Sequence, residues 1–517
     1  MIRLLSVSML LSLASGCGAR ELVAPQDVPT AEVPAVVVPA THRPVPRPPQ
    51  VTGAEPVLWV ALEDHLGSHP SARPLQLTSA GEPLTLEDGT GRRWSAASFT
   101  LRWRSEALPA PVMLARRIAG PYASFESAER LAQRWQALGV PATVAHPKDW
   151  EVWAPQGAVA PEGTPVRNWT RRVHATVEPM LELAEGSQPL QGPLLISAPD
   201  GMRWNRGVFR GPFRLQRDAY GSWTLVEQVA VERYLEGVVP HEIGASSPVA
   251  ALQAQTVLAR TWALANSHRF NIDGYHLCSD TQCQVYSDPR VAGAAVRQAI
   301  TATRGRLLSR AGRPISAVYH ATNGGVMASG PEAWAMQPQS YLRVKADGDD
   351  RWRDRHAIPL QQPQKLSSLL TDRSGAYGAQ HPLFRWSRVI TASEIRQVIG
   401  APAQALQSPL RLTALQRGES GRVLVLQIAG SGDQKPVLLR LDGIRRTLRR
   451  LPSTLFLIEP QGSDRWLIRG GGFGHGAGLS QAGAIDLAWR GWSTERILSH
   501  YYPGTVYGPL PAVVQSP

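Results

Sequence analysis

Apolar positions along the chain fall into blocks with distinct periods. Val57–Leu62 (VLWVAL) and Ser98–Trp103 (SFTLRW) are short runs rich in β-branched and aromatic residues, set apart by polar, turn-forming sequence, and they predict strands. The period then changes. Phe125, Ala128, Leu131, Ala132, Trp135 and Leu138 recur at i, i+3, i+4 spacing, the one-sided stripe of an amphipathic helix, with Ser124 as N-cap and Gly139 as stop. Two β-like runs follow (VPATVAH and WEVWAP), and β-like alternation extends from about Arg167 through Trp223–Val231. Ser247 before Pro248 predicts an N-cap and first-turn proline for a helix over Val249–Asn266. A second helix is predicted over Ala292–Thr303, ended by Gly305, and then two strands around a tight turn (RLLSRAGRPISAVYH). Trp466-Leu467-Ile468 leads into a glycine-rich stretch, and STERILSHYY predicts a last short helix stopped by Pro503-Gly504. Helices and strands in this irregular order predict an α+β fold of mixed sheets with several helices, not a doubly wound sheet.

The amino terminus follows a different logic. Met1-Ile2-Arg3, the apolar run Leu4–Leu13 and a small-residue exit before Cys17 read as an export signal. The run is shorter than the about 20 residues that cross a bilayer. Small residues directly before a cysteine resemble a bacterial lipobox, which makes Cys17 the acylated first residue of the mature chain; an ordinary cleaved signal peptide with a chance cysteine is the other reading. Residues 18–56 follow, and from Val28 to Pro56 they are a string of Pro, Val and Ala that predicts a disordered, semi-rigid tether of polyproline II character. The expected organisation is then a β segment over 57–110, an α/β unit over 111–160 and a large domain over 165–512. Export places the protein in the cell envelope or periplasm, with the lipid bilayer as a partner through Cys17.

Composition narrows the partner. The 517 residues are 43% hydrophobic and 18% charged, enough to bury a sizeable core. A formal net charge of +13 points to nucleic acid, a membrane surface or an acidic polymer. Export removes nucleic acid from that set. Three cysteines exclude a disulfide scaffold and a four-cysteine zinc site.

Three constellations carry chemistry. In the first, Glu242 sits among Val238, Val239, Pro240 and Ile243 just before the predicted Val249 helix. Apolar neighbours raise a carboxyl pKa, as a general acid requires, while a solvated glutamate steadied by the helix dipole fits the same position. The second is His276, Cys278 and Cys283, which supply either three zinc ligands, with His268 or His320 as candidates for a fourth, or a short disulfide loop. The third is Gly470–Ala484, where glycine density lets backbone approach a ligand and leaves His475, Ser480 and Gln481 as the polar side chains placed to touch it; a structural loop around a satisfied histidine is the alternative. Its likeness to a dinucleotide loop is superficial, because no βαβ pattern surrounds it. No phosphate-loop, zincin or serine-elbow motif occurs.

Taken together, YLEGVVPHE, ALQAQTVLARTWAL, CQVY, RGRLLSRAGRPISAVYHATNGG, GGFGHGAGLSQAGA and ILSHYYPGT resemble the stage II sporulation protein D / amidase-enhancer family in residues, order and spacing, over about residues 195–510. The strand–helix–strand unit near 111–160 resembles the SPOR repeat, a small binder of peptide-free peptidoglycan. The family resemblance implies helices and sheets around a glycan-binding cleft. It implies a lytic transglycosylase that cuts the MurNAc–GlcNAc β-1,4 bond of peptide-free strands and leaves 1,6-anhydro ends, with Glu242 as the single acid/base. It matches Gln255, Arg260, Gln284, Tyr286, His475 and Gln481 to residues lining the glycan groove. Because the sugar supplies its own nucleophile, Glu332 and Asp347 are not required. The family's other role, non-enzymatic activation of a cell-wall amidase, is the alternative function, with the amidase as partner. No cofactor is required. Some members carry zinc near CQVY, but Gln282 replaces the histidine often found there, which sets structural zinc level with a Cys278–Cys283 disulfide. Ala250 stands where the family is usually acidic.

Overall fold

The alternation at Val57–Leu62 becomes an inner strand of a seven-stranded sheet. In the computed structural model, which describes residues 39–509, Val57–Leu66 runs antiparallel to Trp223–Ala230, with Val57 opposite Ala230 and Leu66 opposite Trp223. Its other edge takes Leu277–Cys278 in parallel. The early β segment and the later domain therefore share one sheet. The architecture is α+β, as the irregular element order predicts, with several small mixed sheets besides the two large ones.

The second large sheet has eight strands and is organised by Ser98–Tyr122, a strand of 25 residues. It pairs with Arg167–Leu183 along most of its length and with Trp150–Pro155 near its end. The expected boundary at 110/111 falls inside this strand, and the later boundary is bridged by its partner. The middle of the strand is exposed on successive residues, so it lacks the one-sided alternation that marks a strand in sequence. Backbone pairing continues there without side-chain burial.

The Phe125–Gln136 helix begins at Ser124, whose hydroxyl accepts from the Ser127 N–H at 3.3 Å. It buries the predicted stripe from Phe125 to Trp135, while Leu138 beyond its end stays exposed. That stripe packs with Trp150, Ala61, Val226, Phe270 and Tyr275, so the SPOR-like segment and the flanking domain share one core.

The Val249–Ala265 helix is enclosed on nearly all sides, with every residue from Ala251 to Ala265 except Gln253 buried. Pro248, not Ser247, is its cap residue; the Ser247 hydroxyl instead donates to the Ile243 carbonyl at 2.7 Å and closes the preceding turn. The second helix covers Ala294–Ala302, the hairpin Arg306–Arg310/Arg313–Pro314 forms as expected, and Ser493 caps the final helix Thr494–Tyr501. A separate core from Trp386 to Ile468 builds a lobe whose short helix, Gly443–Thr447, carries Arg445 and Arg446.

The tether expectation is corrected for its later half. Residues 39–56 lie along the domain: the Ala115 N–H donates to the Ala40 carbonyl at 3.0 Å, Arg116 Nη1 to the Thr41 carbonyl at 2.8 Å, and Val51 is buried. Proline-rich chain has few internal hydrogen bonds, so its carbonyls are free to accept from a neighbouring sheet. Residues 1–38, which include the signal segment, Cys17 and the start of the tether, lie outside the described residues. Among the described residues, no helix is long and apolar enough to cross a membrane.

Because Trp150 is fully buried where the SPOR-like segment meets the rest of the core, Trp150→Ala is expected to cost about 3–5 kcal/mol. The whole unit should lose this stability in a single calorimetric transition, not one early-melting segment.

Candidate active site

Glu242 lies where a helix widens. Val231–Val239 buries Tyr234, Leu235, Val238 and Val239, and Pro240–Gly244 then opens into a π turn that closes on Gly244 at φ +84°. Such wide turns re-aim a side chain at a helix end. Here the Glu242 carboxyl points across to three other segments. It accepts from the Val285 N–H at 3.1 Å, and the polar ends of the Gln481 and Tyr319 side chains lie beside it and favour its charged form. Burial pushes its pKa above the ordinary carboxyl range, and these three polar groups only partly oppose the shift.

The partners of Glu242 are themselves held. Gln284 donates from Nε2 to the Tyr319 hydroxyl at 2.9 Å and accepts from the Tyr234 hydroxyl at 3.1 Å. Gln255, buried in the central helix, accepts from Gln481 Nε2 at 3.3 Å. His475 accepts at Nδ1 from the Ala477 N–H at 3.2 Å and donates from Nε2 to the Tyr319 carbonyl at 2.8 Å. This pattern defines a neutral imidazole. Burial lowers its pKa to about 4, so it stays uncharged near neutral pH.

Glu242, Gln284, Tyr319, His475 and Trp334 line one cleft of about 210 Å³. Beyond Glu242 it meets a second hollow of about 570 Å³ that Gln481 and the 75%-exposed Trp489 also line. The SPOR-like helix contributes Glu126 to the cleft wall, paired with Arg269. Burial alone would raise Glu126, but the Arg269 guanidinium and neighbouring hydrogen bonds hold it below the usual range. The cleft thus opposes a carboxyl whose pKa is raised to one whose pKa is lowered.

Four residues expected to contact the ligand lie elsewhere. Arg260 is completely buried: Nε and Nη2 bind the two oxygens of Glu232 at 2.8 and 2.6 Å, and Nη1 donates to the Arg306 carbonyl at 3.0 Å. Tyr286 gives its hydroxyl to Glu227 at 2.8 Å inside the core. Ser480 is the N-cap of the Gln481–Trp489 helix and accepts from the Gly483 N–H at 3.2 Å. Gln255 stands behind Gln481 instead of facing the cleft. A helix enclosed on nearly all sides has no distinct polar face, so position within it does not separate a ligand contact from a satisfied core group. Tyr319, Trp334 and Glu126 went unselected in the sequence. Tyr319 lies within a family motif, whereas Glu126 reaches the cleft only through tertiary packing. Glu332 and Asp347 are structural, the first in a capping box with Ser329, the second accepting from Asn323, His500 and Tyr501.

The zinc donor set does not fit. His276 accepts at Nδ1 from the Trp59 N–H and donates from Nε2 to the Pro49 carbonyl, both at 2.8 Å, so neither nitrogen is free for a metal. Cys278 and Cys283 form a disulfide with Cα atoms 5.7 Å apart. His268 pairs with Glu129, and His320 bonds the Ala477 carbonyl. Among the described residues, no three His, Cys, Asp or Glu side chains are placed to hold a metal ion. The zinc expectation gives way to its disulfide alternative.

A mixed α+β unit with a buried carboxyl of raised pKa in a polar cleft is the class that fold and site define. Residues 219–309 match the family described as "Stage II sporulation protein". Residues 328–478 match a domain of unknown function, DUF8618. The amidase enhancer of Bacillus subtilis (strain 168) is 27% identical over 292 residues, 52% of this chain and 40% of that protein. Stage II sporulation protein D of the same organism is 25% identical over 295 residues, 54% of this chain and 75% of the relative. Its Bacillus amyloliquefaciens counterpart is 26% identical over 295 residues, with 54% and 74% covered.

Two outcomes follow from the geometry. Arg260→Ala leaves Glu232 without its partner and is expected to cost about 3–5 kcal/mol, read as a lowered urea midpoint; an unchanged midpoint with weakened glycan binding would place Arg260 in the groove after all. A carboxyl whose pKa rises on folding stabilises the fold while protonated, and that contribution is lost as pH rises through the folded-state value. Glu242→Gln should therefore melt above wild type at pH 8, with the gap narrowing towards pH 4.

Proposed function

We propose that this protein is an exported lytic transglycosylase, anchored to lipid through Cys17, that cleaves the MurNAc–GlcNAc β-1,4 bond of peptide-free glycan strands. The cell-wall setting is the coarser conclusion carried by the sporulation-protein domain and the amidase-enhancer relative. The observation that carries the finer reading is a carboxyl raised by burial, open to a cleft, bonded by the Val285 N–H and flanked by Tyr319 and Gln481, with the cleft's other carboxyl, Glu126, already paired with Arg269.

One group then serves both halves of the reaction. Protonated Glu242 gives its proton to the glycosidic oxygen as the C1–O bond breaks. The resulting carboxylate, stabilised by the Val285 N–H and the Tyr319 hydroxyl, takes the proton of the sugar's own 6-hydroxyl as that oxygen bonds C1. The products are a 1,6-anhydro end and a free hydroxyl, and no water is consumed. A glycosidase that activates water needs a second carboxylate as base or nucleophile. Glu126 is engaged by Arg269 and does not fill that role.

Wild-type protein incubated with purified peptide-free strands should release anhydro-ended fragments by mass spectrometry, and Glu242→Gln should slow release roughly 10²–10⁴-fold. Strand binding without cleavage, together with stimulation of an added cell-wall amidase, selects the activator role that the name of one relative suggests. Reducing ends would indicate attack by water.

A further inference from the structure

The cleft around Glu242 does not end at its own walls. Thr281, Gln282, Arg445 and Arg446 also line an adjoining trough of about 940 Å³. Three parts of the chain build it: the end of the SPOR-like unit (Tyr122, His146, Lys148, Trp150), the disulfide loop (Thr281, Gln282), and the lobe around the Gly443–Thr447 helix. Gln282 ties them together, since its side-chain oxygen accepts from Trp150 Nε1 at 3.0 Å and from Arg446 Nη1 at 3.3 Å. The Cys278–Cys283 bond closes the loop that carries it.

The lining is strongly one-signed. Lys148, Arg388, Arg445, Arg446, Arg449 and Arg450 face the trough, against Asp149 as its only acid. Arg445 and Arg446 share a single buried carboxylate, Asp442, and Arg450 pairs with Glu394. Among the described residues, Lys148, Arg388 and Arg449 have no acidic partner. Phe473, 42% exposed, adds a flat apolar face to the trough wall. Cations without counter-charges beside an exposed aromatic ring fit a polymer that carries both sugar faces and anionic oxygens.

Resting on the transglycosylase reading, we propose that this trough is an anion-reading extension of the glycan cleft, in which Lys148, Arg388 and Arg449 bind the lactyl carboxylates of the strand leading away from Glu242. Those carboxylates are free only where the stem peptide has been removed, because an attached peptide converts each to a neutral amide. The trough therefore favours peptide-free strands by charge, at a distance from the bond that is cut. It also assigns a task to part of the domain of unknown function, which supplies Arg388 and Arg449.

The test measures binding, not turnover. Full-length Glu242→Gln protein is titrated with peptide-free strands, with the same strands after their carboxylates are converted to methylamides, and with poly(glycerol phosphate), each at 50 and 300 mM NaCl. Adding Lys148→Ser, Arg388→Ser and Arg449→Ser should weaken binding of the free strands roughly tenfold and flatten its salt dependence, while binding of the methylamide strands stays unchanged. Equal affinity of parent and triple variant for free strands overturns the proposal, as does indifference of the parent to amidation. Tighter, variant-sensitive binding of poly(glycerol phosphate) makes the trough a phosphate site and also overturns it. Charge-dependent strand binding without anhydro products from wild type sinks the transglycosylase reading and leaves the trough standing. Anhydro products from wild type with unaffected triple-variant binding sink only the trough.

Discussion

The structure is arranged around the burial of one carboxyl. Burial favours the protonated form of Glu242, while a carboxylate stranded there without donors would be costly. The fold meets both demands by bringing Val285, Tyr319 and Gln481 to a single side chain. Each of the three is positioned in turn: Val285 lies just beyond the disulfide loop, Tyr319 is held by Gln284 and His475, and Gln481 by Gln255. The enclosed central helix is the frame on which much of this rests, and Arg260 with Glu232 locks that frame to the following hairpin.

The same packing removes the independence of the SPOR-like segment. Its helix supplies Glu126 to the cleft, its Trp150 is bonded to the disulfide loop, and its strands run on into the large sheet. Whatever it binds, it does so as one wall of a continuous surface. The lobe built around Trp386 and Trp466 forms another part of that surface through the Gly443–Thr447 helix. The net positive charge of the chain is thus concentrated in part along one trough, and the disulfide loop sits between cleft and trough. A loop that joins three segments must keep its shape, and a covalent closure fits that position better than a zinc ion whose histidine is already bonded on both sides.

Much of the local structure was legible in the residues because it follows from short-range physics. The Phe125–Trp135 stripe, the Ser124 cap, the hairpin after Arg306 and the Ser493-capped final helix depend on neighbours a few positions apart, and the structure reproduces them. The family motifs also led to Glu242, Gln284, His475 and Gln481, which meet in one region of the fold. The exposed centre of the Ser98–Tyr122 strand escaped notice because backbone pairing without burial leaves no periodic trace. Arg260 and Tyr286 were assigned to the groove because polar residues in motifs look alike, whether they face a ligand or a buried partner.

The sequence by itself therefore determined most element types and the reactive side chains available, with Glu242 as a candidate among them, since these follow from residue identity and local spacing. Only the tertiary structure decided which polar groups are spent on one another and which remain for a ligand. Burial and hydrogen-bond partnership depend on segments more than a hundred residues apart: Glu126 with Arg269, Trp59 with His276, Trp150 with Gln282. No local pattern records those encounters, and they decided for the disulfide over zinc at Cys278–Cys283 and made the 111–160 unit a wall of the cleft.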